Sequence, residues 1–123
     1  MKGLGIDLCQ IERIERALEK TPNFLNRYYT AEERAYVEER GQAGAQSAAA
    51  MFAAKEAFLK AAGCGIGPEL SLQDVSVAHD KAGAPYYKLS VRAEEKLRSM
   101  GALQAFLSLS HEAGVAAAVC VIE

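Results

Sequence analysis

The chain has 123 residues, half of them hydrophobic, so we expect one globular domain (1–123) and exclude a disordered chain. A net charge of −2 argues against a general nucleic-acid-binding protein. No apolar run approaches the ~20 residues that span a membrane, and the first predicted strand leaves no room for a signal peptide. Three widely spaced cysteines without a C-x-x-C pair predict reduced thiols, a cytoplasmic location and no zinc site.

The first predicted element is a strand over residues 2–8, in which glycine or aspartate alternates with apolar residues. Its apolar face consists of Leu4, Ile6 and Leu8. Asp7 lies on the opposite face with two glycines, where the missing side chains allow a close approach to the backbone. An unpaired carboxylate is costly in such apolar surroundings. Apolar residues at helical spacing then predict a helix from about Ile11, which ends before Pro22.

The middle of the chain is predicted to be helical. Thr30 and Glu33 have the spacing of a capping box, which predicts a helix that stops at Gly41. Small and polar residues predict a mobile loop at 42–47. A long alanine-rich helix is predicted over 45–62, where glycines follow it.

The second half is predicted to be mostly β-structure. Strands are expected at 73–79 and 85–90, a helix at 91–100, and a final hairpin of strands at 104–110 and 115–122. Strands and helices mix without regular βαβ alternation. The predicted class is therefore α+β, a single domain with a mixed or antiparallel sheet packed against the long helix.

The long helix carries Glu56 and Lys60 four residues apart on one face. This spacing is that of a helix-stabilising ion pair, worth roughly 0.2–0.5 kcal/mol. With Asp7 added, the three residues also suit a magnesium ion that holds a phosphate, because Mg²⁺ takes one or two carboxylates together with waters and substrate phosphates. In the structural alternative Asp7 caps the first helix and Glu56 pairs with Lys60 or Lys55. The residues alone leave both interpretations open.

Four segments together resemble the holo-acyl-carrier-protein synthases, which belong to the 4'-phosphopantetheinyl transferase family. They are G-L-G-I-D near the start, F-A-A-K-E-A-F-L-K-A in the long helix, G-C-G-I-G after it and S-L-S-H-E near the end. The resemblance extends from Gly3 to Glu123. It implies a 4'-phosphopantetheinyl transferase-like fold and transfer of 4'-phosphopantetheine from coenzyme A to a serine of apo acyl carrier protein. Adenosine 3',5'-bisphosphate would be released, and the reaction would require Mg²⁺ and serve fatty-acid biosynthesis.

The resemblance also implies roles for single residues. Asp7 and Glu56 would bind the magnesium and act in catalysis, and Lys60 would act with them at the coenzyme phosphates. The serine proton would pass to a water at the metal site or to Glu56. Lys55 would orient Glu56 or the phosphates. The remaining coenzyme contacts would be Gly63, Gly65 and His111.

Carrier-protein docking is implied for Arg13, Phe24 and Arg27. From charge alone, a solvated face interleaved with acids is the favoured interpretation of the basic residues on the first helix. The chain departs from the family pattern where basic residues are usual, at Met51 and Ala84. The resemblance further implies a homotrimer with coenzyme sites between subunits.

A rival interpretation from another functional class is a non-catalytic α+β module that binds a nucleotide or a protein partner. In that case Asp7 and Glu56 would be structural. A transferase must turn over with magnesium, whereas a binding module need not respond to a metal. Titration of coenzyme A with and without magnesium discriminates between the two.

Overall fold

A computed structural model describes all residues from 1 to 123. The helices are α1 (Ile11–Lys20), α2 (Phe24–Tyr28), α3 (Ala31–Glu39), α4 (Gly44–Ala61) and α5 (Val91–Ser99). The strands are β1 (Gly3–Gln10), β2 (Val75–His79), β3 (Pro85–Leu89), β4 (Ala105–Glu112) and β5 (Val115–Ile122). Short 3₁₀ turns precede α4 and β2, at Gly41–Ala43 and Leu72–Asp74. None of the helices combines the length and the apolarity that crossing a bilayer requires.

The strands form two antiparallel sheets, with the order β1-β5-β4 in one and β2-β3 in the other. In the three-stranded sheet Asp7 lies opposite Ala118, which in turn lies opposite Leu109. The turn between β4 and β5 has positive φ at Ala113 (52°) and Gly114 (77°), as a two-residue hairpin turn requires. The predicted α+β class with an antiparallel sheet on a long helix is confirmed.

Helix α4 packs across the inner face of the three-stranded sheet and forms the centre of the core. Its contact with β1 joins backbone to backbone. A Cβ atom on Gly3 would overlap the carbonyl oxygen of Ala61, and one on Gly5 would overlap that of Ala57. The glycine face of β1 therefore admits the helix, which is the close approach that the sequence predicted.

The apolar face of β1 points away from α4. Leu4, Ile6 and Leu8 are 60%, 63% and 64% exposed. Valines of β5 and Phe106 of β4 continue this face across the sheet. We call it the outer sheet face; it consists of Leu4, Ile6, Leu8, Phe106, Val119 and Val121. Alternation along β1 thus predicted the strand, but the small residues and not the large ones face the core.

One predicted loop is wrong. Residues 42–47 were expected to be mobile because they are small and polar, yet a 3₁₀ turn occupies Gly41–Ala43 and α4 already begins at Gly44. Gly44 is buried so closely against α3 that a Cβ atom would lie 2.8 Å from the carbonyl oxygen of Val37. Tertiary packing, which composition does not reveal, orders this segment. Helix α2 was not predicted.

The predicted capping signals are present. Thr30 accepts from the backbone N–H of Glu33, whose side chain in turn accepts from the Thr30 N–H at 2.9 Å. Ser90 accepts from the N–H of Ala93 at 3.1 Å and caps α5. Gly41 follows α3 with a φ of 56°. These local contacts fix where the helices start and stop.

Candidate functional site

Asp7 and Lys60 form the first contact of the candidate site. Asp7 lies on the inner face of β1, and its side chain is only 14% exposed. The Lys60 ammonium, at the end of α4, donates to Asp7 Oδ1 at 2.8 Å and to the carbonyl oxygen of Ile6 at 3.1 Å. The hydrogen bond and charge of Asp7 raise the pKa of Lys60. A strand and a helix distant in sequence are thus joined by a charge pair at the protein surface.

Glu56 lies beside this pair and has no hydrogen bond or ion pair within the chain. Burial raises the pKa of its carboxyl group, and the negative charge of Asp7 raises it further, while Lys60 and Arg13 act in the opposite direction. The two carboxylates are therefore close enough to repel each other. Such a pair favours a bound proton or a bound cation.

Neither contact of the structural alternative is present. Gln10 is the N-cap of α1 and makes no side-chain capping bond, so Asp7 does not cap that helix. Lys60 pairs with Asp7 and not with Glu56. Lys55 pairs with Glu33. Glu56 thus has no structural partner that would explain a carboxylate in this half-buried place.

The donor set fits magnesium. Asp7 and Glu56 supply two carboxylates, and no cluster of three or more His, Cys, Asp or Glu side chains occurs in the chain. Two protein oxygens suffice for Mg²⁺, which keeps waters and takes substrate phosphates as its other ligands. The Lys60 side chain, 54% exposed, stands next to Asp7 where such a phosphate would lie.

Lys55 lies apart from this cluster. Its side chain is fully buried, 2.5 Å from Glu33 Oε1. It also donates to the carbonyl oxygens of Leu72 and Val75 at 2.9 Å. Burial lowers the pKa of Lys55, and Glu33 opposes this effect. An ammonium enclosed in this way cannot reach the coenzyme phosphates. The phosphate contact, which was one of the two roles that the resemblance implied for Lys55, is therefore excluded within this chain.

The two glycines of the predicted coenzyme site follow α4 directly. Gly63 ends the helix with a φ of 75°, and its N–H donates to the carbonyl oxygen of Lys60 at 3.0 Å. Gly65 is exposed, and a Cβ atom there would meet nothing within 4 Å. Both backbones are open to a ligand on the Lys60 side of the cluster.

His111 lies at the other end of α4. Its Nε2 is 3.1 Å from Nε2 of Gln46, which stands ten residues before Glu56, about 15 Å along the helix. A pocket of about 130 Å³ adjoins it, lined by residues that include Met51, His79 and Ser110. Within one chain the structure therefore does not bring His111 together with Asp7 and Glu56.

The predicted docking residues lie on α1 and α2. Arg13 and Arg27 are exposed on α1 and α2. Phe24 is half-buried and packs edge-to-face against Tyr28 at 5.3 Å between ring centroids, and the Arg27 guanidinium lies 5.5 Å from the same ring. Sequence reasoning missed that Arg13 is near enough to Glu56 to lower its pKa. Only the packing of α1 on α4 reveals this link.

Asp7 and Glu56 line none of the main pockets of the chain. A concavity of about 510 Å³ lies elsewhere, between β3, α5 and the start of β4. Its lining includes Tyr87, Leu97 and Ala105, and none of the predicted site residues.

Comparisons with known proteins match one superfamily over nearly the whole chain. A sequence model described as the 4'-phosphopantetheinyl transferase superfamily matches residues 3–120. The holo-[acyl-carrier-protein] synthase of Alkaliphilus metalliredigens is 46% identical over 112 residues, which cover 90% of this chain and 89% of that protein. The holo-[acyl-carrier-protein] synthase structure from Neisseria meningitidis has a TM-score of 0.90 and 31% identity, covering 100% and 98% of the two chains. The Helicobacter pylori synthase in complex with coenzyme A has a TM-score of 0.84 and 35% identity, covering 98% and 99%.

Proposed function

The chain belongs to the 4'-phosphopantetheinyl transferase superfamily, and we propose that it is a holo-acyl-carrier-protein synthase. It transfers 4'-phosphopantetheine from coenzyme A to a serine of apo acyl carrier protein and releases adenosine 3',5'-bisphosphate. The observation that carries this proposal is the meeting of Asp7, Glu56 and Lys60, two repelling carboxylates beside an exposed ammonium. Full-length similarity to proteins of this activity supports it.

Asp7 and Glu56 are the proposed metal ligands. Magnesium bound between them would neutralise the pyrophosphate of coenzyme A and stabilise the charge of the departing phosphate. Lys60 binds the same pyrophosphate directly through its exposed ammonium. The backbones of Gly63 and Gly65, which follow Lys60, line the path of the coenzyme.

Catalysis then rests on positioning and charge. The serine hydroxyl attacks the phosphorus that bears the pantetheine, and the bond from this phosphorus to the bridging oxygen breaks. Lys60 stabilises the negative charge that gathers on the leaving bisphosphate. The serine proton passes to Glu56 or to a water that Glu56 holds. Removal of Glu56 eliminates both routes.

Self-association as a homotrimer is part of the proposal. The outer sheet face exposes three large aliphatic side chains of one strand, Leu4, Ile6 and Leu8. Contiguous apolar patches of this kind mark sites of protein association. A second copy of the chain is the proposed occupant, and the family resemblance gives the number three. The resemblance places the coenzyme sites between subunits, and His111 of one copy and the acidic pair of another would then contact the same coenzyme.

Docking of the carrier protein is assigned to α1 and α2. Arg13 and Arg27 present exposed positive charge, and Phe24 lies beside Arg27 in the aromatic cluster of α2. Basic residues on a slightly acidic protein suit an acidic partner that is recognised by local contacts.

The location and pathway are also part of the proposal. Free thiols at all three cysteines fit a cytoplasmic enzyme, in which the holo carrier serves fatty-acid synthesis.

Mass spectrometry of an apo carrier protein tests the function directly. Incubation with this chain, coenzyme A and magnesium is expected to add one phosphopantetheine to the carrier and to release an equal amount of adenosine 3',5'-bisphosphate. A carrier whose serine is replaced by alanine is the control. An unmodified carrier, together with coenzyme A binding that ignores magnesium, would instead favour the non-catalytic binding module.

A further inference from the structure

Lys55 and Glu33 form a buried ion pair whose hydrogen-bonding groups are all used. The Lys55 ammonium contacts Glu33 and the carbonyl oxygens of Leu72 and Val75, so each of its three N–H groups has an acceptor. The second carboxylate oxygen of Glu33 accepts from the backbone N–H of Val77 at 2.9 Å. The pair thus connects α4 with α3, with the 3₁₀ turn before β2 and with β2 itself.

Stability alone does not explain these two charges. A buried ion pair is rarely more stabilising than an apolar pair of similar volume, because both ions lose their hydration. A fully bonded pair does fix the orientation of the elements that it joins, because a hydrogen bond weakens when its donor and acceptor are misaligned. Lys55 and Glu33 therefore help to define how α4 is rotated within the core, together with the hydroxyls of Tyr29 and Tyr87, which donate to the carbonyl oxygens of Ala48 and Ala54.

The apolar part of the contact between α4 and β1 constrains this orientation less. Against β1 the helix presents Ala57 and Ala61, which meet Gly3 and Gly5 at backbone distance. This contact sets how near the helix and the strand lie. Its side chains are too small to interdigitate, so they resist a rotation of α4 about its own axis only weakly.

We propose that the Lys55–Glu33 pair is a positioning device that holds Glu56 against Asp7. Glu56 follows Lys55 in the chain and is turned about 100° from it around the helix axis. Fixing Lys55 toward α3 and β2 therefore fixes Glu56 toward β1. This inference rests on the proposed function, because it takes Asp7 and Glu56 as the metal ligands. Lys55 itself touches neither metal nor coenzyme.

Metal binding by a neutral double variant tests the proposal. Glu33→Gln with Lys55→Met removes both charges and keeps the side chains similar in size. Binding of Mn²⁺, as a stand-in for Mg²⁺, is measured by electron paramagnetic resonance in the presence of coenzyme A. The double variant is expected to fold and to bind Mn²⁺ about tenfold more weakly, as the loss of a supporting contact around a metal ligand typically does. Its kcat should fall while its KM for the carrier stays unchanged.

Leu97→Ala is the matched control, because it opens a cavity under α5 away from the contact of α4 with β1. It should lower Tm and leave Mn²⁺ affinity unchanged. Unaltered affinity in the double variant, or equal weakening in the control, overturns the positioning role. Should the double variant not fold, Glu33→Gln alone decides, since it keeps the shape and an acceptor oxygen. A wild-type protein that binds no Mn²⁺ contradicts the metal assignment of the proposed function instead.

Discussion

Lys60 donates to Asp7, 53 positions away in sequence, at 2.8 Å, and leaves Glu56 on its own helix without a partner. A lysine four residues after a glutamate would ordinarily pair with it. Here Lys60 pairs with Asp7 instead of Glu56, because β1 brings the Asp7 carboxylate to the end of α4. The unpaired Glu56 is the feature that distinguishes this cluster from an ordinary surface ion pair.

Replacement of Glu56 or Asp7 by alanine is expected to abolish magnesium-dependent transfer, with a fall of at least ~100-fold in kcat. The fold should be kept, because either change relieves repulsion between two carboxylates and removes little packing. Transfer assays check the loss of activity, and thermal unfolding checks that the fold is kept. Normal turnover in either purified variant contradicts the metal assignment, and unfolding of both would restore a structural role.

Lys60→Ala is expected to raise the KM for coenzyme A and to lower kcat, since a phosphate contact should strengthen as charge develops on the leaving group. Its effect on stability should be small because the side chain is exposed. Lys88→Ala is the matched control, because Lys88 forms a similar exposed pair with Glu32 at 3.0 Å. Equal kinetic effects in the two variants would make Lys60 structural.

The pH dependence of stability should report on Glu56. Its pKa lies above the ordinary 4.5 in the folded protein. Between the two values the folded protein binds the proton more tightly than the unfolded chain, so the free energy of unfolding falls as pH rises through that window. Without divalent metal, the Tm of Glu56→Gln should therefore rise relative to the Tm of wild type as pH rises above about 4.5.

Magnesium with coenzyme A should reverse this trend. Metal binding stabilises the ionised Glu56 and is available to wild type but not to Glu56→Gln. At pH values above the pKa of Glu56, where the carboxylate is ionised, added magnesium and coenzyme A should therefore raise the Tm of wild type more than that of Glu56→Gln. Differential scanning calorimetry in both conditions gives the comparison. A Tm difference independent of pH would place Glu56 in an unperturbed surface position.

Sequence reasoning was sufficient where contacts are local. Thr30 and Glu33 are three residues apart, and their capping box predicted the start of α3 correctly. It was not sufficient where one residue serves distant elements. The same Glu33 binds Lys55 from across the core, and no spacing rule connects residues on separate helices. Lys55 was therefore grouped with the phosphate-binding residues, although its ammonium points into the core.

The orientation of β1 shows a second limit of the sequence. Alternation predicted the strand, and Asp7 was placed correctly on the glycine face. Hydrophobicity alone would turn Leu4 inward, yet the helix needs the glycine face in order to approach the backbone. Large residues then remain for the outer sheet face. We propose that a second copy of the chain covers that face.

Leu4→Glu tests this partner. The residue is 60% exposed in the single chain, so a charge there should leave the monomer folded and prevent association. Light scattering is expected to show a homotrimer for wild type and a monomer for the variant, with transfer lost if subunits share the coenzyme site. Leu103→Glu, at a residue 93% exposed outside the outer sheet face, is the control. An unchanged oligomer in Leu4→Glu removes this face from the interface.

Reversal of charge at Arg27 or Arg13 is expected to impair recognition of the carrier protein. Contacts between exposed charges act mainly on the association rate and fade as salt screens them. The variants should therefore need a higher carrier concentration for the same rate of transfer, with the largest effect at low ionic strength, and the gap to wild type should narrow as salt rises. Arg16→Glu is the matched control on α1, because Arg16 is already paired with Glu12.

The two arginines should differ in one respect. Arg13 lowers the pKa of Glu56, so Arg13→Glu places a negative charge near the metal ligands and should also change the dependence of transfer on magnesium. Arg27 on α2 is not among the charges that shift Glu56, and Arg27→Glu should leave that dependence unaltered. Initial rates against carrier and magnesium, each at two salt concentrations, separate docking from metal binding. If neither variant alters the carrier dependence, the basic residues of α1 and α2 form a solvated face and the carrier docks elsewhere.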